Sequence, residues 1–393
     1  MQLNIYKKRY LKLPYYISQF VIIFILTLLF CIIFICIPIH IFMLVKFNAL
    51  IVYGLIAMII ALLMYPHYIT LLKYFKAGKQ IRENDATGQK SQIFNSLHQH
   101  KSGTPTMWWG LLLFIVMVMI LWSFAIQERW WTNNALINRS ETYIVIFGLF
   151  TMGFIWLIDD ILNISDHGTV KWLSVKAKMF GFVIFSAFIS YRFYNKLGIH
   201  TIDLWPVYGV IDLGIWYPIL TFVLTIAIVN AINITDGLDG LAGGLLIMIL
   251  GVLGVMTFVY SRYLTTTIIA IVSGVLFGFL RFNINPAKIF MGDSGALALW
   301  WLISTLVYLL GIKMGIIIPF MICFLIFWIE IWSSFLQLFW KKVSWHKLFA
   351  VAPFHHYLER KGFSETHIVM KFWLIQGILC TITLILLFYQ LQQ

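Results

Sequence analysis

The sequence predicts an all-α, polytopic integral membrane protein with its active site in a cytoplasm-facing cleft. The chain is 61% hydrophobic and 11% charged, with a mean hydropathy of +0.91, and this composition excludes an ordinary soluble domain. Apolar runs of about 20 residues, the length that spans a bilayer, recur along the chain. Lysine and arginine concentrate between alternate runs, which is typical of multi-pass membrane proteins.

The apolar runs predict eleven transmembrane helices. We expect residues 1–46 to form a basic segment and a retained membrane anchor, since the first span is long and no small-residue cleavage site follows it. Residues 47–393 are expected to form one integral domain. The short gap from Ser261 to Tyr263 predicts a tight turn between the seventh and eighth spans. The predicted spans are 16–38, 49–74, 107–126, 142–163, 178–198, 211–232, 241–260, 264–283, 294–311, 314–339 and 369–389.

The basic residues place the N-terminus in the cytoplasm and the C-terminus outside, because lysine and arginine are favoured in cytoplasmic segments. The net charge of +13 is therefore mostly a topology signal. A smaller part can attract anionic lipid or phosphate, and nucleic acid is not an expected partner. The basic residues before the first span are Lys7, Lys8, Arg9 and Lys12. The further cytoplasmic segments are 75–106, 164–177, 233–240, 284–293 and 340–368.

Four polar stretches that carry aspartate or histidine lie at the ends of predicted spans, all on the cytoplasmic side. An ionised residue at a helix centre costs about 2.5–3.5 kcal/mol on insertion scales, so charges kept beside the membrane indicate function. Because alternation puts all four on one face, they can form one active site. The stretches are Asp159-Asp160, Asn233–Gly240 (NITDGLDG), Asn283–Gly295 (NINPAKIFMGDSG) and Pro353–Glu359 (PFHHYLE).

The first two stretches supply pairs of carboxylates. Asp236 and Asp239 are three residues apart, so they share a face on a helical turn, and neighbouring glycines leave room for a ligand. The alternative is a glycine-rich turn with an N-cap. Asp159 and Asp160 point about 100° apart on a helix, so one of them can face a ligand. The alternative for this pair is a solvated helix end.

The third stretch predicts a magnesium ligand. Asp293 follows a glycine in FMGDSG, and Mg²⁺ is usually held by one or two carboxylates together with waters and substrate phosphates. Phe290 is near enough to stack on a base, although a core position is the commoner fate of a phenylalanine.

The fourth stretch carries His355 and His356, which can bind phosphate or relay a proton because cations surround them. The alternative is a solvated histidine pair. Lys101, Thr104 and Thr106, in KSGTPT before the third span, can also contact phosphate. The cations near the histidines are Lys341, Lys342, Lys347, Arg360 and Lys361.

Together these residues indicate phosphoryl transfer at a membrane surface, because the reaction depends on positioning and on neutralising phosphate charge. One substrate is then a lipid phosphate and the other a soluble pyrophosphate. The sequence has no Walker loop, zinc spacing or Ser-His-Asp order, and its four cysteines indicate small apolar residues. A transporter is the alternative from another class, although its acids are expected near mid-membrane.

The same stretches resemble the polyprenyl-phosphate N-acetylhexosamine-1-phosphate transferase family, from about Phe47 to the C-terminus. The last of five anchor segments separates the branches of that family. Its HHYLERKGF followed by KFW is similar to the phospho-N-acetylmuramoyl-pentapeptide branch, whereas the GlcNAc-1-phosphate branch has a different histidine-rich loop. The anchor segments are 101–107, Asp159-Asp160, 230–244, 282–299 and 352–375.

The resemblance implies a bacterial cytoplasmic-membrane enzyme of ten spans, here preceded by one extra helix, with residues 47–393 as its transferase domain. It implies transfer of phospho-MurNAc-pentapeptide from its UDP carrier to undecaprenyl phosphate, with Mg²⁺ as cofactor. The products are lipid I, for peptidoglycan synthesis, and UMP. A homodimer is expected by analogy. The alternative within the family is a GlcNAc-1-phosphate transferase for another surface glycan.

The resemblance also implies roles for individual residues, and it leaves open whether Asp159 or Asp160 acts as the base. The catalytic positions are Asp159, Asp160, Asp236, His355 and His356. The metal positions are Asp293 and Asp236. The substrate-binding positions are Lys101, Thr106, Lys178, Asn233, Asp239, Asn283 and Phe290.

The chain departs from the family pattern in three ways. Tyr357 stands where a third histidine is expected, and Asn163 stands where a lysine often follows the acid pair. Six tryptophans stand where the family has glycine, and in tightly packed positions they should clash. We hypothesise that UGA codons, which some bacterial lineages read as glycine, were translated as tryptophan; UGG codons there would refute this. The six are Trp108, Trp109, Trp172, Trp300, Trp301 and Trp345.

Overall fold

Long apolar helices dominate the structure, a computed structural model, and they confirm the predicted all-α class. The residues that it describes are 46–75, 78, 101, 103–130, 146, 148–150, 175–198, 200–292, 299–308, 317–346 and 348–392. In chain order the elements are α1 (Lys46–Tyr74), α2 (Trp108–Trp130), α3 (Val175–Leu197), β1 (Thr201–Asp203), β2 (Val210–Asp212), α4 (Trp216–Thr235), α5 (Leu241–Val259), α6 (Tyr263–Asn283), α7 (Leu299–Tyr308), α8 (Ile317–Cys323), α9 (Leu325–Ser344), α10 (Phe354–Arg360) and α11 (Glu365–Gln390).

Several of these helices are long and apolar enough to cross a membrane. Among the described residues there are five, in α1, α4, α5, α6 and α11, and a sixth if the bent pair α8–α9 is one span. α2 and α3 coincide with the predicted spans 107–126 and 178–198. The prediction of a multi-pass membrane protein is therefore confirmed. The predicted span 16–38 and most of 142–163 lie outside the described residues, and the domain division at residue 46 stays a prediction.

The core lies where α6 packs along α1 and against α5. A side chain on Gly274 of α6 would place its Cβ 2.1 Å from the Gly54 carbonyl oxygen of α1, so the two backbones are nearly in contact there. Small residues allow this close packing of helices in membranes. The buried Trp108 of α2 lies against Phe279 of α6, with ring centroids 4.4 Å apart. These contacts fix the relative positions of the helix ends that carry the polar loops.

The connection between α5 and α6 is the tight turn that the sequence predicts, with Ser261 in a left-handed conformation at φ 56°. The predicted start of the span 211–232 is wrong. Residues 210–212 form β2, which pairs antiparallel with β1, and α4 begins at Trp216. The side chain of Asp212 accepts the Gly214 N–H at 2.8 Å. Residues that hydropathy alone assigns to a helix therefore form a strand and a turn, because local turn chemistry decides their structure.

The predicted span 314–339 is broken, since α8 and α9 meet at Phe324 at an angle of 71°. Two backbone carbonyls beside the break accept hydrogen bonds from α11 side chains. Gln376 Nε2 donates to Cys323 O at 2.8 Å, and Thr383 Oγ1 donates to Pro319 O at 3.1 Å. A bend inside a membrane is tolerated where protein groups satisfy the freed carbonyls. Side chains of α11, more than 50 residues away along the chain, therefore help to stabilise the break.

The tryptophans that replace family glycines have two environments. The indole N–H of Trp300 donates to the Thr225 carbonyl oxygen at 3.0 Å, so the core accommodates this side chain. Trp345 is 87% exposed and has a φ of 60°, a conformation that favours glycine. Trp172 lies outside the described residues, and the codon hypothesis stays a prediction. The buried tryptophans of this set are Trp108, Trp109, Trp300 and Trp301.

Candidate active site

Polar segments from several parts of the chain meet at one end of the helical bundle. The loop 236–240 connects α4 to α5, the loop 284–292 follows α6, and Lys101 and Pro105 precede α2. Two further contributions come from α10 and from the first turn of α11. Hydrogen bonds join these segments, so the structure brings together stretches that are remote in sequence.

One group of charges is centred on Lys101. Its Nζ lies 2.7 Å from Asp239 Oδ1 and 2.5 Å from Glu365 Oε1. The three side chains are 10%, 4% and 13% exposed, in that order. Two largely buried carboxylates therefore share one cation, and the group has a net charge of −1. We call Lys101, Asp239 and Glu365 the Lys101 cluster.

Backbone and amide donors complete the Lys101 cluster. Asp239 Oδ2 accepts the Ala287 N–H at 3.0 Å and Asn285 Nδ2 at 3.1 Å. Asn285 Nδ2 also lies 3.2 Å from Glu365 Oε2, and Glu365 Oε1 accepts the Asp239 N–H at 2.6 Å. Each of the four carboxylate oxygens thus has a donor, and hydrogen bonds to ionised groups are the stronger class. The cluster joins loop 236–240, loop 284–292 and the start of α11.

Asn283 joins the same two loops from inside the protein. Its Oδ1 accepts the Gly240 N–H at 3.1 Å, and its Nδ2 donates to Ile289 O at 2.9 Å. The side chain is 2% exposed, so both of its ends are used by backbone groups in this structure. Gly240 has a φ of 78°, a left-handed conformation that glycine adopts without steric cost. The predicted contact of Asn283 with substrate stays a prediction.

Asp236 contacts the loop that leads to Asp293. Its Oδ2 accepts the Gly292 N–H at 3.0 Å, and Gly292 immediately precedes Asp293 in the chain. A Cβ on Gly292, which has a φ of 67°, would lie 3.3 Å from the Cβ of Thr106. The Phe290 N–H donates to the Pro105 carbonyl oxygen at 2.8 Å. Pro105 and Thr106 are thereby held against the loop 284–292, to which Asp236 also bonds.

A second, fully buried group pairs His355 with Glu330. Imidazole Nδ1 lies 2.9 Å from Glu330 Oε2, and both side chains have no exposed surface. The His355 backbone N–H also donates to the carboxylate, at 3.2 Å to Oε1. The alternative that the histidine pair is merely solvated is wrong for His355. We call these two residues the His355 pair.

His356 lies beside the His355 pair, with the two imidazole centroids 4.2 Å apart. Its Nδ1 is 2.6 Å from Glu359 Oε2, one turn further along α10. Tyr357, which stands where the family has a third histidine, stacks on Phe354. The Lys361 ammonium lies 5.5 Å from the Tyr357 ring centroid, within the range of a cation–π contact. The predicted polar segment is therefore an ordered helical turn.

The predicted site residues differ in how far the structure describes them. Asn233 is exposed on α4 near its C-terminal end. Asp159, Asp160 and Asp293 lie outside the described residues, as does the side chain of Lys178 on α3. The predicted residues brought together at the polar end are Lys101, Thr106, Asp236, Asp239, Asn283, Phe290, His355 and His356.

Sequence analysis missed two acids at this end, Glu330 and Glu365. Glu330 interrupts the apolar segment LIFWIEIW of α9, and an acid inside a span is by itself a functional signal. Glu365 follows Ser364, whose side chain accepts the His367 N–H as an N-cap. An acid in that position is common in first turns, so the sequence alone gave no reason to single it out.

Of the two predicted magnesium ligands, the structure describes Asp236, and Asp293 lies outside the described residues. Within the described part of the chain, no three histidine, cysteine, aspartate or glutamate residues converge on one point. Mg²⁺ does not require such a group, because one or two carboxylates suffice when substrate phosphates and waters complete the coordination. Asp236 supplies one carboxylate, and its hydrogen bond to Gly292 holds it beside the residue that precedes Asp293. An aspartate carboxylate in this position is a ligand type that Mg²⁺ accepts.

The fold and the polar end define a multi-pass membrane protein with a polar site at one end of its helices. The family model described as Glycosyl transferase family 4 matches residues 142–312. Phospho-N-acetylmuramoyl-pentapeptide-transferase of Clostridium novyi (strain NT) is 34% identical over 84% of this chain and 94% of its own length. The enzymes of the same name from Clostridium botulinum (strain Eklund 17B / Type B) and Anoxybacillus flavithermus (strain DSM 21510 / WK1) are 35% and 34% identical. They match 82% and 81% of this chain and 91% and 92% of their own lengths.

The chain therefore belongs to the phospho-N-acetylmuramoyl-pentapeptide-transferase family. It is a phosphotransferase, and it is a multi-pass membrane protein.

Proposed function

We propose that the protein transfers phospho-MurNAc-pentapeptide from its UDP carrier to undecaprenyl phosphate, giving lipid I and UMP. The observation that carries this proposal is the meeting of Lys101, Asp236, Asp239 and His355 at one end of membrane-spanning helices, in a chain that belongs to this family. A site at a helix end can receive a lipid phosphate from the bilayer and a nucleotide from water. We place this end on the cytoplasmic side of a bacterial inner membrane.

In the proposed reaction, an oxygen of undecaprenyl phosphate attacks the phosphorus that carries the sugar. The bond from this phosphorus to the bridging oxygen of the UDP diphosphate breaks, and UMP leaves with that oxygen. We assign Asp159 and Asp160 to the lipid phosphate, one of them as base, and Lys101, Thr106 and Lys178 to phosphate oxygens. Catalysis then rests on positioning and on charge neutralisation.

The nucleoside side of the site is assigned to Asn233, Asp239, Asn283 and Phe290. The two hydrogen bonds of Asn283 hold Gly240 and Ile289 at fixed positions, so in this structure its contribution is to shape the loops on the nucleoside side. The Phe290 backbone is fixed by its bond to Pro105, so its ring has a defined place for stacking on a base.

We propose Mg²⁺ as the cofactor, held by Asp293 and Asp236. When bound, it would neutralise charge on the diphosphate and so favour departure of UMP. The protein's own contribution is to hold Asp236 beside Gly292 and to keep Lys101 near the same loops. Assembly as a homodimer stays a prediction from the resemblance.

The test is to incubate the purified full chain with undecaprenyl phosphate and either UDP-MurNAc-pentapeptide or UDP-GlcNAc, with Mg²⁺ or with EDTA. We expect UMP and a lipid-linked product only with the muramoyl nucleotide and only with Mg²⁺. Product from UDP-GlcNAc alone would replace this function with GlcNAc-1-phosphate transfer. An Asp293→Ala variant should insert normally and make no product, whereas Mg²⁺-dependent turnover by it would contradict the metal assignment.

A further inference from the structure

Glu330 has no role in the function proposed above, yet it is a carboxyl group with no exposed surface in the second turn of α9. Its neighbours Ile326, Phe327 and Trp328 are buried apolar residues. Burial of an unpaired carboxylate in such surroundings is costly, so a group of this kind is retained where it is hydrogen-bonded and serves a purpose.

The hydrogen bonds of Glu330 go to one residue of another helix. His355 donates from its backbone N–H and from imidazole Nδ1, at 3.2 Å to Oε1 and 2.9 Å to Oε2. An ionised carboxylate can only accept hydrogen bonds, so with Glu330 ionised a proton of this ring lies on Nδ1. Two anchors on the same residue also fix the direction in which the ring points. Glu330 thereby determines both the tautomer and the orientation of His355.

The other ring nitrogen of His355 is directed at the loop 236–240. A Cβ on Gly237 would lie 2.3 Å from Nε2, so this atom is in contact with the bare backbone between Asp236 and Asp239. Among the described residues, the buried Nε2 has no hydrogen-bond partner. A buried polar atom without a partner, in a loop that holds predicted catalytic groups, indicates an atom kept for substrate.

We propose that Glu330 is a positioning residue that acts through His355. It holds Nδ1 protonated and the ring immobile, and Nε2 is then the ring atom whose lone pair is left to accept a hydrogen bond from a hydroxyl group of the bound substrate. The contact with substrate rests on the proposed function, whereas the effect of Glu330 on the ring does not.

The first measurement is nitrogen NMR of the full chain in lipid nanodiscs, with ¹⁵N-labelled histidine. The His355 signal is assigned with a His355→Gln variant. We expect a protonated Nδ1 in the wild type and in Glu330→Gln, whose amide oxygen still accepts the hydrogen bond. Glu330→Leu, which removes the acceptor, should move the proton to Nε2 or give a mixture of tautomers. A wild-type pattern in Glu330→Leu would overturn the proposal.

The second measurement is turnover by the same variants. Glu330→Leu should lower kcat about 10- to 100-fold, as losses of supporting hydrogen bonds do at other sites, with KM for the nucleotide unchanged. Glu330→Gln should retain most of the turnover. Equal loss in both variants, or a change confined to KM, would contradict a positioning role.

Gln376→Leu is the matched control, because Gln376 is also a fully buried polar residue that hydrogen-bonds in the neighbourhood of α9, yet it contacts Cys323 and not His355. Its His355 signal should match the wild type. If the wild-type chain makes no lipid product, the proposed function fails, while the NMR experiment still decides whether Glu330 positions the ring.

Discussion

The Lys101 cluster and the His355 pair are two charged groups at the same end of the protein, and they are built differently. The cluster joins four segments, is partly open to water and has a donor on every carboxylate oxygen. The pair has no exposed surface and leaves His355 Nε2 without a partner among the described residues. Water can replace a lost contact in the cluster and not in the pair. The cluster therefore suits assembly of the loops, and the pair suits exact placement of one atom.

The largest effect is expected from His355→Ala, because it leaves Glu330 buried without its imidazole partner. Loss of one member of a buried pair costs about 3–5 kcal/mol, and the low end applies since the backbone N–H still donates. The free energy of unfolding in detergent measures this. The double variant Glu330→Leu/His355→Leu should recover stability without activity. Wild-type stability of His355→Ala would contradict the contrast in burial between the two groups.

A smaller effect is expected from Lys101→Met, which removes the cation shared by Asp239 and Glu365. Hydrogen bonds to charged groups contribute about 1.5–3 kcal/mol, and water at this partly open position should offset some of that loss. The unfolding free energy and KM for the nucleotide are the measurements.

Adding Glu365→Gln to Lys101→Met should restore part of the stability, because one of two adjacent negative charges is removed. Lys73→Met, at an exposed cation in the last turn of α1, is the control and should be neutral. If the double variant is less stable than Lys101→Met, repulsion between the carboxylates is not what Lys101 relieves.

Gly237→Ala tests the contact between His355 and the loop 236–240, which also carries Asp239 of the Lys101 cluster. Its Cβ would lie 2.3 Å from His355 Nε2, so either the ring or the loop must move, and overpacking of this kind costs about 1–3 kcal/mol. Turnover should fall together with stability. Gly251→Ala, on α5 with nothing within 4 Å of its Cβ position, is the matched control and should keep full turnover. Unchanged turnover of Gly237→Ala would show that turnover does not depend on the contact between this loop and the His355 pair.

The smallest effect is expected at Trp345, outside both groups. Its left-handed φ of 60° costs an ordinary residue about 1–2 kcal/mol relative to the right-handed conformation. Trp345→Gly should therefore be about 1 kcal/mol more stable with unchanged activity. Trp345→Ala keeps the backbone cost and is the control. Equal stability of the two variants would show that the backbone at this C-terminal cap does not carry strain.

The fold was predictable where hydropathy alone decides it. Spans such as α5 and α6 are long apolar runs, and both their bounds and the tight turn at Ser261 follow from composition. The break at Phe324 was not predictable, because Phe324 lies in a continuous apolar run and the carbonyls of Cys323 and Pro319 bond to Gln376 and Thr383 of a distant helix. Contacts between distant helices have no signature in a single apolar segment.

The candidate site was predictable as a set of polar stretches, and less so as a set of contacts. Asp236 and Asp239 share a face only in the simple helical interpretation; in the structure one contacts Gly292 and the other contacts Lys101. Glu330 could have been found, since an acid within an apolar span is rare for physical reasons. Glu365 could not, because its function as a partner of Lys101 depends on a separation of 264 residues along the chain.

His355 and Glu365 both follow nearly all of the described helices in the chain. Translation proceeds from the other end, and early segments insert and pack while later ones are still being made. Most of the membrane helices of a nascent chain can thus insert before either residue has been synthesised. A chain terminated before residue 355 would therefore insert most of these helices in the bilayer and lack both the His355 pair and the Lys101 cluster.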